Sequence, residues 1–206
     1  MRTVSAGMIT AHIMRHNMKQ FVKLAAAVCL LLGTGCSAAE NETISADHPQ
    51  VVIEIEDYGT ITVELDPDAV PITVENFLTL VDEGFYDGLT FHRIIEGFMM
   101  QGGASYTRQA ETITGEFASN GWKNPIKHER GVISMARAKD PDSASSQFFI
   151  VQQDASHLDG DYAAFGRVIS GMEIVDAVCA DAKPVDNNGM IAPEDQPKII
   201  SIKRVD

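Results

Sequence analysis

Eight short strand-like stretches, interrupted by only two helical ones, constrain this chain more than any other feature of its sequence. The first two, Val51-Val-Ile-Glu-Ile-Glu56 and Thr60-Ile-Thr-Val-Glu-Leu65, alternate apolar and polar residues around Asp57-Tyr-Gly59. Successive strand side chains point to opposite faces, so this pattern predicts an antiparallel hairpin. Pro71 then opens a helix in which Val74, Phe77, Leu78 and Val81 fall at helical spacing, and Gly84 stops it. Further strands are predicted at 90–95, 98–101, 132–136, 147–152, 163–169 and 198–205, with a second helix at 173–179. Such an order does not alternate as βαβ units, which argues against a parallel sheet. Eight strands do suffice to close a barrel filled by side chains, and closure removes exposed edges.

The run from Phe91 to Gly103 sets one arginine, Arg93, and one amide, Gln101, among large apolar residues. Strict alternation places Phe91, Arg93 and Ile95 on one face and, after the Gly97 break, Met99 and Gln101 on another. A guanidinium on a mostly apolar sheet face is costly unless it meets a partner or a ligand. The plain structural alternative is an ion pair with a nearby acid such as Glu96.

Downstream lie Gly131-Val-Ile-Ser-Met-Ala136, Ser146-Gln-Phe-Phe-Ile150 and Ala164-Phe-Gly-Arg-Val168. With these motifs the chain resembles the cyclophilin family of peptidyl-prolyl cis-trans isomerases from about Val51 to Val205. The resemblance implies a mainly β fold, a closed eight-stranded antiparallel β-barrel capped by two α-helices, with the substrate groove outside. It also implies an enzyme that needs no cofactor and acts on X-Pro bonds of unfolded or extended proline-containing polypeptides. Amide resonance sets a rotation barrier of roughly 18–20 kcal/mol. A catalyst must stabilise the twisted state, in which the prolyl nitrogen becomes pyramidal and can accept a hydrogen bond.

By resemblance Arg93 is the catalytic donor to that nitrogen, and its permanently charged planar fork suits the task. Phe98, Met99, Phe149 and Leu158 match the apolar proline pocket; Phe148, next to Phe149, belongs to the opposite face and reads as core. Gln101 and the backbone of Ala136 match positions that bind substrate main chain on either side of the proline. Arg137 is an outer contact, and Gln147 is expected to brace Arg93 from behind. His157 stands where the best-known members carry tryptophan, and Tyr162 where they carry histidine. The tryptophan supplies much of the grip on cyclosporin, so weakened cyclosporin affinity is implied, with isomerase activity retained. The rival reading is a proline-peptide binding module or holdase chaperone with little catalysis.

Composition narrows the setting. The first 35 residues carry Arg2, Arg15, Lys19 and Lys23 and no acid, which leaves 12 basic against 29 acidic residues, a net charge near −17. That balance disfavours nucleic acid and anionic headgroups as partners, and a monomer is expected. Lys19 and Lys23 precede the nine apolar residues Leu24-Ala-Ala-Ala-Val-Cys-Leu-Leu-Leu32, too short a stretch to span a bilayer and typical of an export signal. Met18 is a candidate true start. Leu32-Gly-Thr-Gly-Cys36 resembles a bacterial lipobox, although the apolar residue expected three positions before the cysteine is Gly33; simple cleavage near Ser37-Ala-Ala39 is the other route. The expected organisation is therefore a signal at 1–35, a tether at 36–50 and the isomerase domain at 51–206, exported to the periplasm or cell envelope. A lipid on Cys36 would be its only membrane contact.

Of three cysteines only Cys179 falls in the domain, at helical spacing with Met172, Val175 and Val178, which marks a buried structural thiol. His48, His92 and His128 form no ligand-spaced set, so no metal site is expected, and Asp140-Pro-Asp142 reads as a turn. No phosphate-binding glycine loop or nucleophile constellation is present. Residues 104–130 read as a long loop anchored by Trp122. Radiolabelled fatty acid fed to the native host should enter the protein and be lost in Cys36→Ala; an unlabelled wild type would leave simple cleavage as the route.

Overall fold

In the computed structural model, which describes residues 48–205, the first alternating stretches pair as predicted. β1 (Gln50–Ile55) runs antiparallel to β2 (Gly59–Leu65), in register from Gln50↔Glu64 to Ile55↔Gly59. Val51, Ile53, Ile55, Ile61, Val63 and Leu65 are buried, so one face of the hairpin faces the core. The segment assigned to export, Cys36 and most of the tether lie outside the described residues.

The remaining strands are β3 (Phe91–Ile95), β4 (Met99–Gly102), β5 (Val132–Met135), β6 (Phe148–Val151), β7 (Ala164–Ser170) and β8 (Ile199–Arg204). All ladders are antiparallel, in the order β3-β4-β6-β5-β7-β2-β1-β8. Closure is less complete than the strand count suggested. β8 and β3 share no ladder; the sheet's ends meet through the isolated bridge Thr90↔Lys198 and main-chain bonds such as Phe91 N–H to Pro197 O, 2.9 Å. The result is a curled half-barrel, because the chain turns out of strand geometry where the last ladder would form.

Two helices cover it. α1 (Pro71–Asp82) packs against β8, and α2 (Met172–Asp181) against β2. The apolar stripe of α1 drives Phe77 into the core, where its ring lies 5.1 Å from Phe165, 5.3 Å from Tyr86 and 5.6 Å from Phe148. On α2, Val175, Val178 and Cys179 are buried, and burial pushes the Cys179 thiol up to about 12, which keeps it protonated and inert. Among the described residues no helix is long and apolar enough to cross a membrane.

The β6 sequence Phe148-Phe-Ile-Val151 is apolar at every position because this strand is covered on both faces. Phe148 and Ile150 join the main core, while Phe149 and Val151 join a second cluster with Met99, Val132, Ala155, Leu158 and Ala164. That outer cluster is the floor on which the groove is built.

The loop at 104–130 is tied down rather than loose. Trp122 Nε1 donates to Ala69 O at 2.9 Å, as expected of an anchor. Glu116, fully buried, accepts the Ile72 and Thr73 N–H groups at 3.1 and 2.7 Å and so caps α1, whose own N-cap residue Val70 offers no side-chain oxygen. Glu116→Ala should therefore lower unfolding free energy by about 2–3 kcal/mol, since one buried and one part-buried donor lose their acceptor. Urea denaturation would measure this, and a loss below the scatter of surface variants would remove Glu116 as the cap.

Candidate active site

Strict alternation misplaces one residue of the Phe91–Gly103 run. The β3–β4 register shifts between Phe91 and Arg93, so Phe91 and Ile94 both enter the core, while Arg93 and Ile95 face outward. Arg93 then sits opposite Gln101 and Ile95 opposite Met99, which puts all four on one face rather than two.

Arg93 is half-buried, and its acceptors are neutral. Nε donates to Asn188 O at 2.7 Å and Nη1 to Gln101 Oε1 at 3.3 Å, with Met99 Sδ 3.9 Å away. Glu96 is exposed and makes no ion pair with it among the described residues. Gln147 reaches Arg93 only at second hand: its Oε1 accepts from Gln101 Nε2 at 3.0 Å, and so orients the amide that in turn holds the guanidinium.

Asn188 belongs to a loop that runs beside β3 and bridges at Arg93↔Met190. Ile94 N–H donates to Gly189 O at 2.8 Å and Ile191 N–H to His92 O at 3.0 Å. Gly189 has φ +84, and a Cβ there would lie 2.6 Å from Ile94 O, so only glycine allows this approach. Asp186 accepts the Asn188 and Met190 N–H groups at 2.9 and 3.0 Å, and these donors hold its carboxyl below the usual range.

Beside Arg93 opens a cleft of about 220 Å³ lined by Arg93, Phe98, Met99, Gln101, Ala136, Arg137, Phe149, Leu158 and Tyr162. It is smaller than the roughly 300–1,000 Å³ typical of sites for drug-sized ligands and suits one compact apolar group. Tyr162 meets Phe149 edge-on, with centroids 6.0 Å apart. His157 alone of the candidate groove residues does not line the cleft; it is exposed and packs on Phe98 at 5.3 Å. Phe148 is buried in the core.

Behind the wall lies a polar chain that sequence reading did not find. His128 is 1% exposed; Nε2 lies 3.0 Å from Ser134 Oγ, and Nδ1 lies 3.1 Å from Asp159 Oδ1. Its ring stacks on Phe149 at 15° with centroids 6.0 Å apart. Ser134 is the β5 partner of Phe149, and Asp159 follows the short 3-10 turn Ser156–Leu158 that carries a pocket residue. Burial lowers the His128 pKa despite Asp159, and burial with the neighbouring Arg93 cation lowers that of His92. Burial works against ionised Asp159, but hydrogen bonds from the His128 N–H and ring, with Lys127, prevail and lower its pKa. The sequence shows no ligand-spaced set around His48, yet folding brings its Nε2 to 3.8 and 3.5 Å from the carboxylates of Asp66 and Asp68.

Comparison with known proteins fits this geometry. Residues 50–204 match the family described as cyclophilin type peptidyl-prolyl cis-trans isomerase/CLD. The chain belongs to that family. A peptidyl-prolyl cis-trans isomerase of Acinetobacter baylyi is 41% identical over 152 residues, which cover 70% of this chain and 80% of that one. Peptidyl-prolyl cis-trans isomerase B of Bacillus subtilis is 47% identical over 128 residues, covering 58% and 82%. A cyclophilin type isomerase from Cryptosporidium parvum, crystallised in the presence of the dipeptide ala-pro, superposes with a TM-score of 0.65 at 29% identity, covering 76% of this chain and 99% of that one. The cyclophilin fold and enzyme class expected from the motifs therefore hold for this chain.

His92 and His128 give the site an acid limit. Both have native pKa values below 6.5, so as pH falls through 6.5 the unfolded chain takes up protons first and stability declines; above about pH 7 their contribution is constant. Depression of Asp159 acts in the same direction only below 3.8. Ring-carbon NMR should show both histidines titrating below 6.5, with urea midpoints falling in step; titration above 6.5 would reverse the assignment.

Proposed function

We propose that this cyclophilin accelerates cis-trans rotation about X-Pro bonds in extended polypeptides by hydrogen bonding to the prolyl nitrogen from Arg93. The reading rests on one arrangement: a guanidinium oriented by neutral acceptors at the mouth of an apolar slot. Asn188 O and Gln101 Oε1 fix its plane without cancelling its charge, and Nη2 has no partner among the described residues. A pyrrolidine ring seated against Met99, Phe149 and Leu158 would bring its amide nitrogen towards that donor. In the planar amide the nitrogen lone pair is delocalised and accepts poorly; in the twisted state it is localised and accepts well. The interaction therefore strengthens as the barrier is approached, which is what lowers it.

Gln101 and the Ala136 main chain are the proposed grips on the peptide either side of the proline, and Tyr162 and His157 the rim. The apolar slot offers cyclosporin its place, but exposed His157 gives less flat area than the family's tryptophan, so weaker inhibition is proposed. The working location is the periplasm or cell envelope, reached through the N-terminal signal, with Cys36 as the anchor.

Arg93→Ala should reduce kcat/KM on a proline tetrapeptide by about 10²- to 10³-fold, the scale for losing one transition-state donor. Arg93→Lys should restore little, since an ammonium does not reproduce the fork. Exchange spectroscopy on cis and trans proline signals reads the rate without a coupling protease, and thermal unfolding checks that the fold is intact. Full activity in a folded Arg93→Ala would refute the mechanism; binding without exchange in the wild type would favour the binding-module reading.

A further inference from the structure

The groove carries a second guanidinium that bond rotation does not use. Arg137 follows Ala136 in the cleft wall, with its guanidinium carbon 4.8 Å from the centre of the Tyr162 ring and 4.9 Å from that of Phe117. Nε donates to Asp161 O at 2.8 Å and Nη1 to Ala138 O at 3.0 Å. Two rings and two carbonyls thus hold the plane in place, and none of them cancels its charge. Nη2 has no partner, and no carboxylate pairs with Arg137, among the described residues.

That lack of a counter-charge is informative in a chain with 29 acidic and 16 basic residues. Elsewhere on the surface Arg130 is held by Asp176 at 2.6 Å and Arg204 by Asp82 at 2.5 Å. The cleft, by contrast, is lined by two arginines and no acid. If Arg93 serves the prolyl nitrogen, Arg137 is the cation available to a neighbouring substrate side chain.

We propose that Arg137 is a specificity-determining residue that favours proline peptides bearing a carboxylate side chain on the residue flanking proline at the Ala136 end of the groove. This rests on the isomerase reading of the same cleft. A net negative protein repels acidic peptides at long range, but at physiological salt that field is screened beyond about 8 Å. Inside the groove the nearest charge decides, and a fixed guanidinium with a free N–H edge accepts a carboxylate as a charge-assisted hydrogen-bond partner. The preference must then be local and one-sided, because only one end of the cleft carries Arg137.

Exchange spectroscopy on acetylated tetrapeptides tests this, with Glu, Gln or Lys placed directly before proline in one series and directly after it in another. The expected result is a kcat/KM order of Glu over Gln over Lys in one series only. Glu should exceed Gln by about two- to fivefold, the range for one half-exposed charge pair. Arg137→Gln should bring that ratio close to one, and Arg137→Lys should keep part of it. A wild-type ratio near one, equal ratios in both series, or an unchanged ratio in Arg137→Gln would overturn the assignment. Should Arg137→Gln not fold, the wild-type series and Arg137→Lys still decide. Failure of the isomerase reading shows separately, as absent exchange for every peptide; Kd ratios for the Glu and Gln peptides from chemical-shift titration then test the selectivity alone.

Discussion

The bulge between Phe91 and Arg93 decides what this sheet can do. Without it, alternation would carry Arg93 to the same side as Phe91, which is buried in the barrel core. A desolvated guanidinium there would cost several kcal/mol unless paired. One extra residue in β3 lets Phe91 and Ile94 fill the interior while Arg93 joins Ile95, Met99 and Gln101 outside. The same wall, β4-β6-β5, is largely buried on both faces, so it closes the core on one side and floors the groove on the other. Stability and function therefore draw on one strand set, with alternate residues assigned to each.

Arg93 is positioned by neutral groups. A carboxylate partner would hold it more strongly but would also cancel its charge and occupy the same donors. A main-chain carbonyl and an amide oxygen orient the fork and leave its charge available. The acceptor from Asn188 depends on a turn ordered by Asp186 and on close approach at Gly189, so a loop remote in sequence fixes the plane of the guanidinium.

The buried chain Asp159–His128–Ser134 backs the slot in a comparable way. It joins the turn that carries Leu158 to the strand beside Phe149, and the His128 ring lies flat against Phe149. Fully bonded polar groups in a dry site fix geometry more tightly than apolar contacts, which are non-directional. Burial favours the neutral imidazole, and the Asp159 carboxylate at the end of the chain is met by Lys127 Nζ at 3.6 Å.

By itself the sequence determined the elements, their order and the family. Alternation marked the β1–β2 hairpin, unbroken apolar runs marked strands such as β6, and helical spacing marked both helices, because all three are local properties of the chain. The family resemblance grouped Phe98, Met99, Gln101, Phe149 and Leu158, and all five line one cleft. Tertiary structure alone decided the facing of Arg93, since a bulge changes side-chain parity without leaving a composition signal. It also decided the incomplete seam between β8 and β3, the second-hand role of Gln147, the place of His157 outside the cleft, and the partners Asn188, Glu116 and Asp159. Those contacts join residues that are far apart along the chain, and only the curl of the sheet brings them together.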